Sequence, residues 1–284
     1  MQDERPSATA WRVALGRAAH QHFDHPTVFD DPLALRIVGA EAHATSTEAF
    51  FHERYRFTRR ATSVRALVVV RSRLAEEELS AAVSRGVRQY VLLGAGLDTF
   101  AYRNPHAGLR VFEVDHPATQ GWKRKILRRA GITEPDSLMF VPVNFERQTA
   151  MEGLVAAGFD RSAPAFFAWL GVTMYLPEDA VYAMLRDVAA MATSSGIIFD
   201  YAVSKSEMSL FARLMVAIVN RRLRRINEPW VTFLSPATLA AKLRSLGFHA
   251  IRDLSAQDLN AQYFSGRSDR LRIGGVGRVM IASV

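Results

Sequence analysis

The sequence predicts an α/β protein centred on a mostly parallel sheet with helices on both faces. Three observations lead there. Between residues 89 and 201 short apolar runs alternate with helical segments, the pattern that repeated βαβ units impose. The first run ends in a glycine turn, Gly94-Ala95-Gly96. The residues before it carry helical rather than strand periodicity. The 284 residues are 49% hydrophobic and 23% charged, which excludes a disordered chain and a collagen-like or fibrous repeat.

Taken in order, Trp11–His20 has a helical apolar period, and Asp30-Asp31-Pro32-Leu33 reads as an N-cap with proline early in the next helix. Arg65–Val83 is apolar on one face and charged on the other. Strands are expected at Gln89–Leu93, Arg110–Val114, Leu138–Val143, Ala165–Leu170 and Gly196–Tyr201, separated by helices at Pro117–Ala130, Thr149–Ala157 and Pro177–Ala192. The long amphipathic segment Met208–Ile226 then interrupts the alternation. Ala237–Leu246 is a helix stopped by Gly247. Phe248–Leu254 and Val276–Val284 are the last two strands, and with no crossover helix between them they should pair antiparallel. The expected organisation is a helical N-terminal region, 1–84, on a core, 85–284, with a helical cap insertion at about 204–234.

There is no cysteine. Disulfide scaffolds, Cys-ligated zinc, Fe–S clusters and thiol nucleophiles are therefore excluded. The net charge is +8, and all but four of the 36 basic residues are arginine. Such a balance suits an acidic small molecule, nucleic acid or an anionic membrane, or carries no message at all. Met1–His20 has Arg12 and Arg17 inside its apolar stretch and does not read as a signal peptide. The longest apolar run, Leu214–Val219, falls far short of the roughly 20 residues of a membrane span. A cytoplasmic protein is expected.

The glycine turn gains meaning from Asp115, which ends the second strand. It follows Gly96 by about 20 residues, the separation at which a carboxylate can accept the hydroxyls of a cofactor ribose. A nicotinamide dinucleotide and S-adenosylmethionine both meet this requirement. The third fingerprint position is Thr99 rather than glycine, which leans away from a pyrophosphate. Asp98 could pair with a cofactor amino group or with a nearby arginine such as Arg103, or cap the helix that follows.

Four segments, in order, then resemble one family. They are GAGLDTFAYR (94–103), FEVDHP (112–117), VPVNFERQ (141–148) and GVTMYLP (171–177). Together with Phe29-Asp30-Asp31-Pro32 and Arg71-Ser72-Arg73 they look like the leucine carboxyl methyltransferase family, including its tetracenomycin-type polyketide O-methyltransferases, over about residues 10–205. The resemblance implies a class I S-adenosylmethionine-dependent methyltransferase fold, a Rossmann-like seven-stranded sheet. It implies a cofactor site of Gly94, Ala95, Gly96, Asp98, Asp115, His116, Asn144, Phe145 and Leu170, with an arginine of the Arg71/Arg73 pair, and loosely Arg17, at the cofactor carboxylate. Asn144 stands where the family commonly has aspartate, and Leu170 where it often has an acid.

Other motifs are weighed beside this. The run His20-x-His22-x-Asp24-His25 has the spacing of a dinuclear metal site but lacks a preceding strand and a second cluster; no metal is expected. Arg221–Arg225, after an apolar helical face, suits a cap over the site, a plain solvated helix, or a membrane or nucleic-acid patch. Tyr175 and Tyr201, at strand ends, are candidates for orienting an acceptor oxygen. The expected function is O-methylation of a small-molecule, natural-product carboxylate or phenol. Its alternatives are an NAD(P)-dependent oxidoreductase on the same sheet and a non-catalytic binding protein on a methyltransferase fold. A small-molecule acceptor, no nucleic acid, no stable membrane association and a homodimer left open complete the expectations.

Overall fold

The computed structural model describes residues 7–42, 62–144 and 148–284. Seven strands form one sheet: β1 (Gln89–Leu93), β2 (Arg110–Asp115), β3 (Leu138–Pro142), β4 (Ala165–Trp169), β5 (Gly196–Ala202), β6 (Ala250–Leu254) and β7 (Gly277–Ser283). Their order is β3-β2-β1-β4-β5-β7-β6, with β1 to β5 parallel and β7 antiparallel to both its neighbours. The chain leaves β1 towards β2 and β3, then returns to β4 on the other side of β1. That reversal opens a crevice at the C-terminal ends of β1 and β4, where ligands of doubly wound sheets gather.

The strands read as continuous apolar runs because both faces of the sheet are covered. Alternate side chains enter opposite cores. Val91 and Leu93 pack with Phe112, Phe167 and Phe199 on one face. Helices α5 (Ala150–Ala156), α6 (Glu178–Ala189) and α8 (Pro236–Leu246) cover it, through Leu154, Leu185 and Leu239 among others. Tyr90 and Leu92 face the other core, closed by α3 (Thr62–Ser84) through Val69, Val70, Leu74 and Leu79. A third cluster joins α1 (Ala8–Phe23), α2 (Pro32–Ala42) and α4 (Pro117–Arg129) around Ala18, Ile37 and Ile126, with Leu97 of the glycine turn.

Two expectations change. Between β6 and β7 lies a helix, α9 (Ala256–Tyr263), opened by a Ser255/Asp258 capping box. The strands nevertheless pair antiparallel, because the chain from Phe264 to Val276 carries it back along the sheet. Phe248, expected to open β6, instead fills the core after Gly247 ends α8 in a left-handed turn. The stretch between β5 and α8 holds α7 (Leu210–Arg224).

The His-x-His-x-Asp-His run is structural where described. His20 is fully buried; its Nε2 accepts the N–H groups of Val28 (2.9 Å) and Phe29 (3.2 Å), so Nδ1 donates to Asp24 (2.9 Å). Arg65 of α3 donates twice to the same carboxylate, at 2.6 and 2.7 Å. Burial pushes the Asp24 carboxyl up, but His20 and Arg65 outweigh it and leave it below its ordinary value of 3.8. A depressed folded pKa contributes stability above the unfolded value and loses it as pH falls through the folded one. Stability should therefore drop on acidification below about pH 4, and Asp24→Ala, which removes the carboxylate bonded to both His20 and Arg65, should cost about 3–5 kcal/mol by denaturant unfolding at neutral pH.

Candidate functional site

A cavity of about 290 Å³ opens in the crevice. Its floor is the loop after β1, Gly94 to Asp98. Asp115 and His116 close one side, at the end of β2. Leu170, Gly171 and Val172, after β4, close the other, and Ser7, Thr9, Ala10, Val13 and Arg17 of the α1 region lie across it. Gly94 has φ +68°, and a side chain there would meet Val172 Cγ2 at 2.5 Å. Only glycine allows this turn and this close approach.

Asp115 is oriented by backbone. Its Oδ2 accepts the Gly96 N–H and its Oδ1 the His116 N–H, both at 2.6 Å. Burial raises its pKa against the pull of these two donors. Each oxygen keeps a lone pair for a further donor. His116 is the N-cap of α4, with Nδ1 accepting from Ala118 N–H at 3.2 Å.

Asp98 accepts the Phe100 N–H at 2.8 Å and Arg17 Nη1 at 3.1 Å. Burial raises its carboxyl, but the charges of Arg17, Lys123 and Arg103 outweigh this and hold it below the usual range. Its hydrogen-bonded arginine is thus Arg17 rather than Arg103, the example the sequence offered, which acts on Asp98 only through its charge. Arg103 instead forks onto Glu76 of α3. Arg17 also donates to Leu97 O, and Asp31 lies between Arg17 (3.4 Å) and Arg103 (3.6 Å).

Arg71 lines the cavity and Arg73 does not. Two positions along a helix are a rotation of about 200°, so α3 can turn only one of the pair inward. Arg73 is on the surface, bonded to Glu77 and Val28 O, over the Tyr263 ring. Arg71 is buried and donates to Asp200 Oδ2 at 2.6 Å, while Asp200 Oδ1 accepts the Gly171 N–H. The guanidinium lies where a Cβ of residue 171 would be, with Nη2 at 2.7 Å, and Gly171 has φ +74°. Asp200 was legible only as an acid inside an apolar strand. Glu228, a lining residue that holds the Ala8 and Thr9 N–H groups at 3.1 Å each, had no sequence signal.

Tyr175 borders the cavity, and burial raises its pKa. Tyr201 points away from it into the core. Its hydroxyl donates to Asp253 on β6 at 3.0 Å, so it is removed from the acceptor-orienting pair. The β5 alternation explains this, since Asp200 and Tyr201 must face opposite sides. Asn144 is not among the lining residues, and Phe145 lies outside the described residues. Among the described residues no cluster of three or more metal-ligating side chains occurs.

The donor set fits S-adenosylmethionine. Its ribose diol needs an acceptor, a part Asp115 would fill with its remaining lone pairs; its carboxylate needs a guanidinium, which Arg71 or Arg17 would supply. A pyrophosphate would instead face the Asp98 and Asp115 carboxylates.

Sheet order and crevice are those of a class I methyltransferase. A crystallised Thermobifida fusca YX protein described as a methyltransferase shares the fold, with a TM-score of 0.58 at 15% identity over 99% of this chain and 96% of that one. The family model for leucine carboxyl methyltransferase matches residues 10–189, and the chain belongs to that family. Bacillus subtilis YktD, which carries the assigned name of an S-adenosyl-L-methionine-dependent methyltransferase, is 28% identical over 95% of both chains. A Frankia alni protein with the same assigned name is 36% identical over 66% of this chain and 65% of its own length. The protein is an S-adenosylmethionine-dependent methyltransferase, which sets aside the dinucleotide and non-catalytic alternatives.

If Asp115 holds the ribose, Asp115→Ala should weaken S-adenosylhomocysteine binding by about 2 kcal/mol, roughly thirtyfold, in a calorimetric titration. Arg71→Ala should weaken it as well, and Arg73→Ala should leave it unchanged.

Proposed function

We propose that the enzyme transfers the methyl group to the carboxylate oxygen of a small natural-product acid, the acceptor class that the tetracenomycin-type resemblance implies. The supporting observation is that the acidic and basic side chains bordering the cavity already have partners inside the fold. Asp98 is bonded to Arg17, Asp115 to two backbone N–H groups, and Glu228 to the α1 N-terminus. His116 Nδ1 caps α4. None of these is poised as a general base. A carboxylate is ionised at neutral pH and needs none; in-line alignment with the sulfonium and exclusion of water can supply the rate.

In this reading Tyr175 keeps its proton, because burial raises its pKa, and donates a hydrogen bond to the acceptor. The cofactor contributes the methyl group. Asp115, Arg71 and the Gly94–Asp98 loop hold it, and the expected cap over 204–234 reaches the cavity's edge through Glu228 rather than through its helix.

With labelled cofactor and a panel of acids and phenols, the expected product is a base-labile methyl ester. Its rate of formation should be flat from about pH 6 to 9, since the acceptor is ionised throughout. A base-stable aryl ether, formed at a rate that climbs towards the phenol pKa, would assign the phenol instead. Tyr175→Phe should raise the acceptor KM roughly fivefold, the value of one hydrogen bond, and Tyr201→Phe should not.

A further inference from the structure

Helix α7 is N-capped by Ser209 and anchored by only two buried side chains, Val216 and Leu223. Its other apolar residues face outward: Leu210 (81% exposed), Phe211 (73%), Leu214 (59%), Met215 (42%), Ile218 (40%) and Val219 (37%). At about 100° per residue they form one continuous arc. They present on the order of 600 Å² of apolar surface, the upper limit of what a soluble monomer leaves uncovered. No residue of the helix lines the cavity, so this face does not close over the cofactor.

The last turn of the same outward face is basic. Arg221, Arg222, Arg224 and Arg225 are exposed, and no acidic residue occurs from Met208 to Asn227. Among the described residues these four have no acidic partner. The arc is convex and needs no preformed groove to receive it. A second copy would bring an equally basic helix against it. Nucleic acid would leave six apolar side chains without contact. An anionic bilayer satisfies both parts, taking the apolar turns into its acyl boundary and the arginines at its headgroups.

We propose that α7 docks the enzyme reversibly on an anionic lipid surface. No described helix is long and apolar enough to cross a membrane, and a surface-lying helix needs no such length. The docked face and the cavity share one segment. The chain runs from α7 into Glu228, a lining residue, and then into Val231 and Thr232, whose N–H groups bond to Met174 O beside Tyr175.

The test is co-sedimentation of the full-length protein with vesicles of phosphatidylcholine alone and with about one third phosphatidylglycerol. The protein should pellet with the anionic vesicles only, and less in about 0.5 M salt, which screens the charges. Phe211→Glu/Leu214→Glu, and the milder Leu214→Ser, should reduce binding. Arg221→Glu/Arg222→Glu should reduce it by more than tenfold, at about fivefold per charge. All variants should keep S-adenosylhomocysteine binding, which reports an intact fold independently of the acceptor. The proposal is overturned by no pelleting with either vesicle, or by binding indifferent to the apolar substitutions. A wild-type dimer by light scattering that Leu214→Ser makes monomeric would also overturn it and assign the face to a second copy.

Discussion

The glycine turn after β1 carries the cavity floor, and it has to be held open without a side chain of its own. A buried chain of charges does this. Arg17 on α1 reaches Leu97 O and Asp98, Asp31 ahead of α2 sits between Arg17 and Arg103, and Arg103 forks onto Glu76 of α3. Arg17 and Asp31 are 2% and 0% exposed. Charges this deep are tolerated only when paired, and removing one strands its partner. The network thus makes the N-terminal helices part of the cavity's construction rather than an appendage: three helical elements and the turn are fastened at one point.

A second, smaller arrangement of the same kind stands across the crevice. Asp200 of β5 accepts from Arg71 with one carboxylate oxygen and from the Gly171 N–H with the other. Its carboxylate lies next to the position where Leu170 replaces the acid common in the family. Asp200 does not itself line the cavity; it supports this wall through Arg71 and the Gly171 N–H. Because Arg71 is pinned at one nitrogen, its remaining donors are pre-oriented, which reduces the entropy lost on binding an anion.

Much of the architecture is legible in the chain. The strands from β1 to β5 declare themselves as short apolar runs, since burial on both faces leaves no alternation to confuse them. Helix α9 escapes the pattern because so short a segment gives too little periodicity, although its Ser255/Asp258 capping box is visible as a pair. Arg73 stands two residues from Arg71, which lines the cavity, and Tyr201 one residue from Asp200, which holds Arg71, and each fails for a geometric reason. A helix turns about 200° in two residues, and a strand about 180° in one. Candidates so spaced on one element cannot both face one cavity.

The sequence by itself determined the class of fold, the glycine turn, the acid that follows it and the absence of thiol chemistry, because these rest on local periodicity, turn conformation and composition. The tertiary structure alone decided which arginine serves Asp98, which of two faces α3 turns inward, that Glu228 borders the cavity and that Asp200 holds Arg71 there. Those pairings join residues 27 to 220 positions apart, such as Arg103 with Glu76 and Ala8 with Glu228. Sequence spacing carries no information about such partners; only the packing of the helices against the sheet brings them within a hydrogen bond.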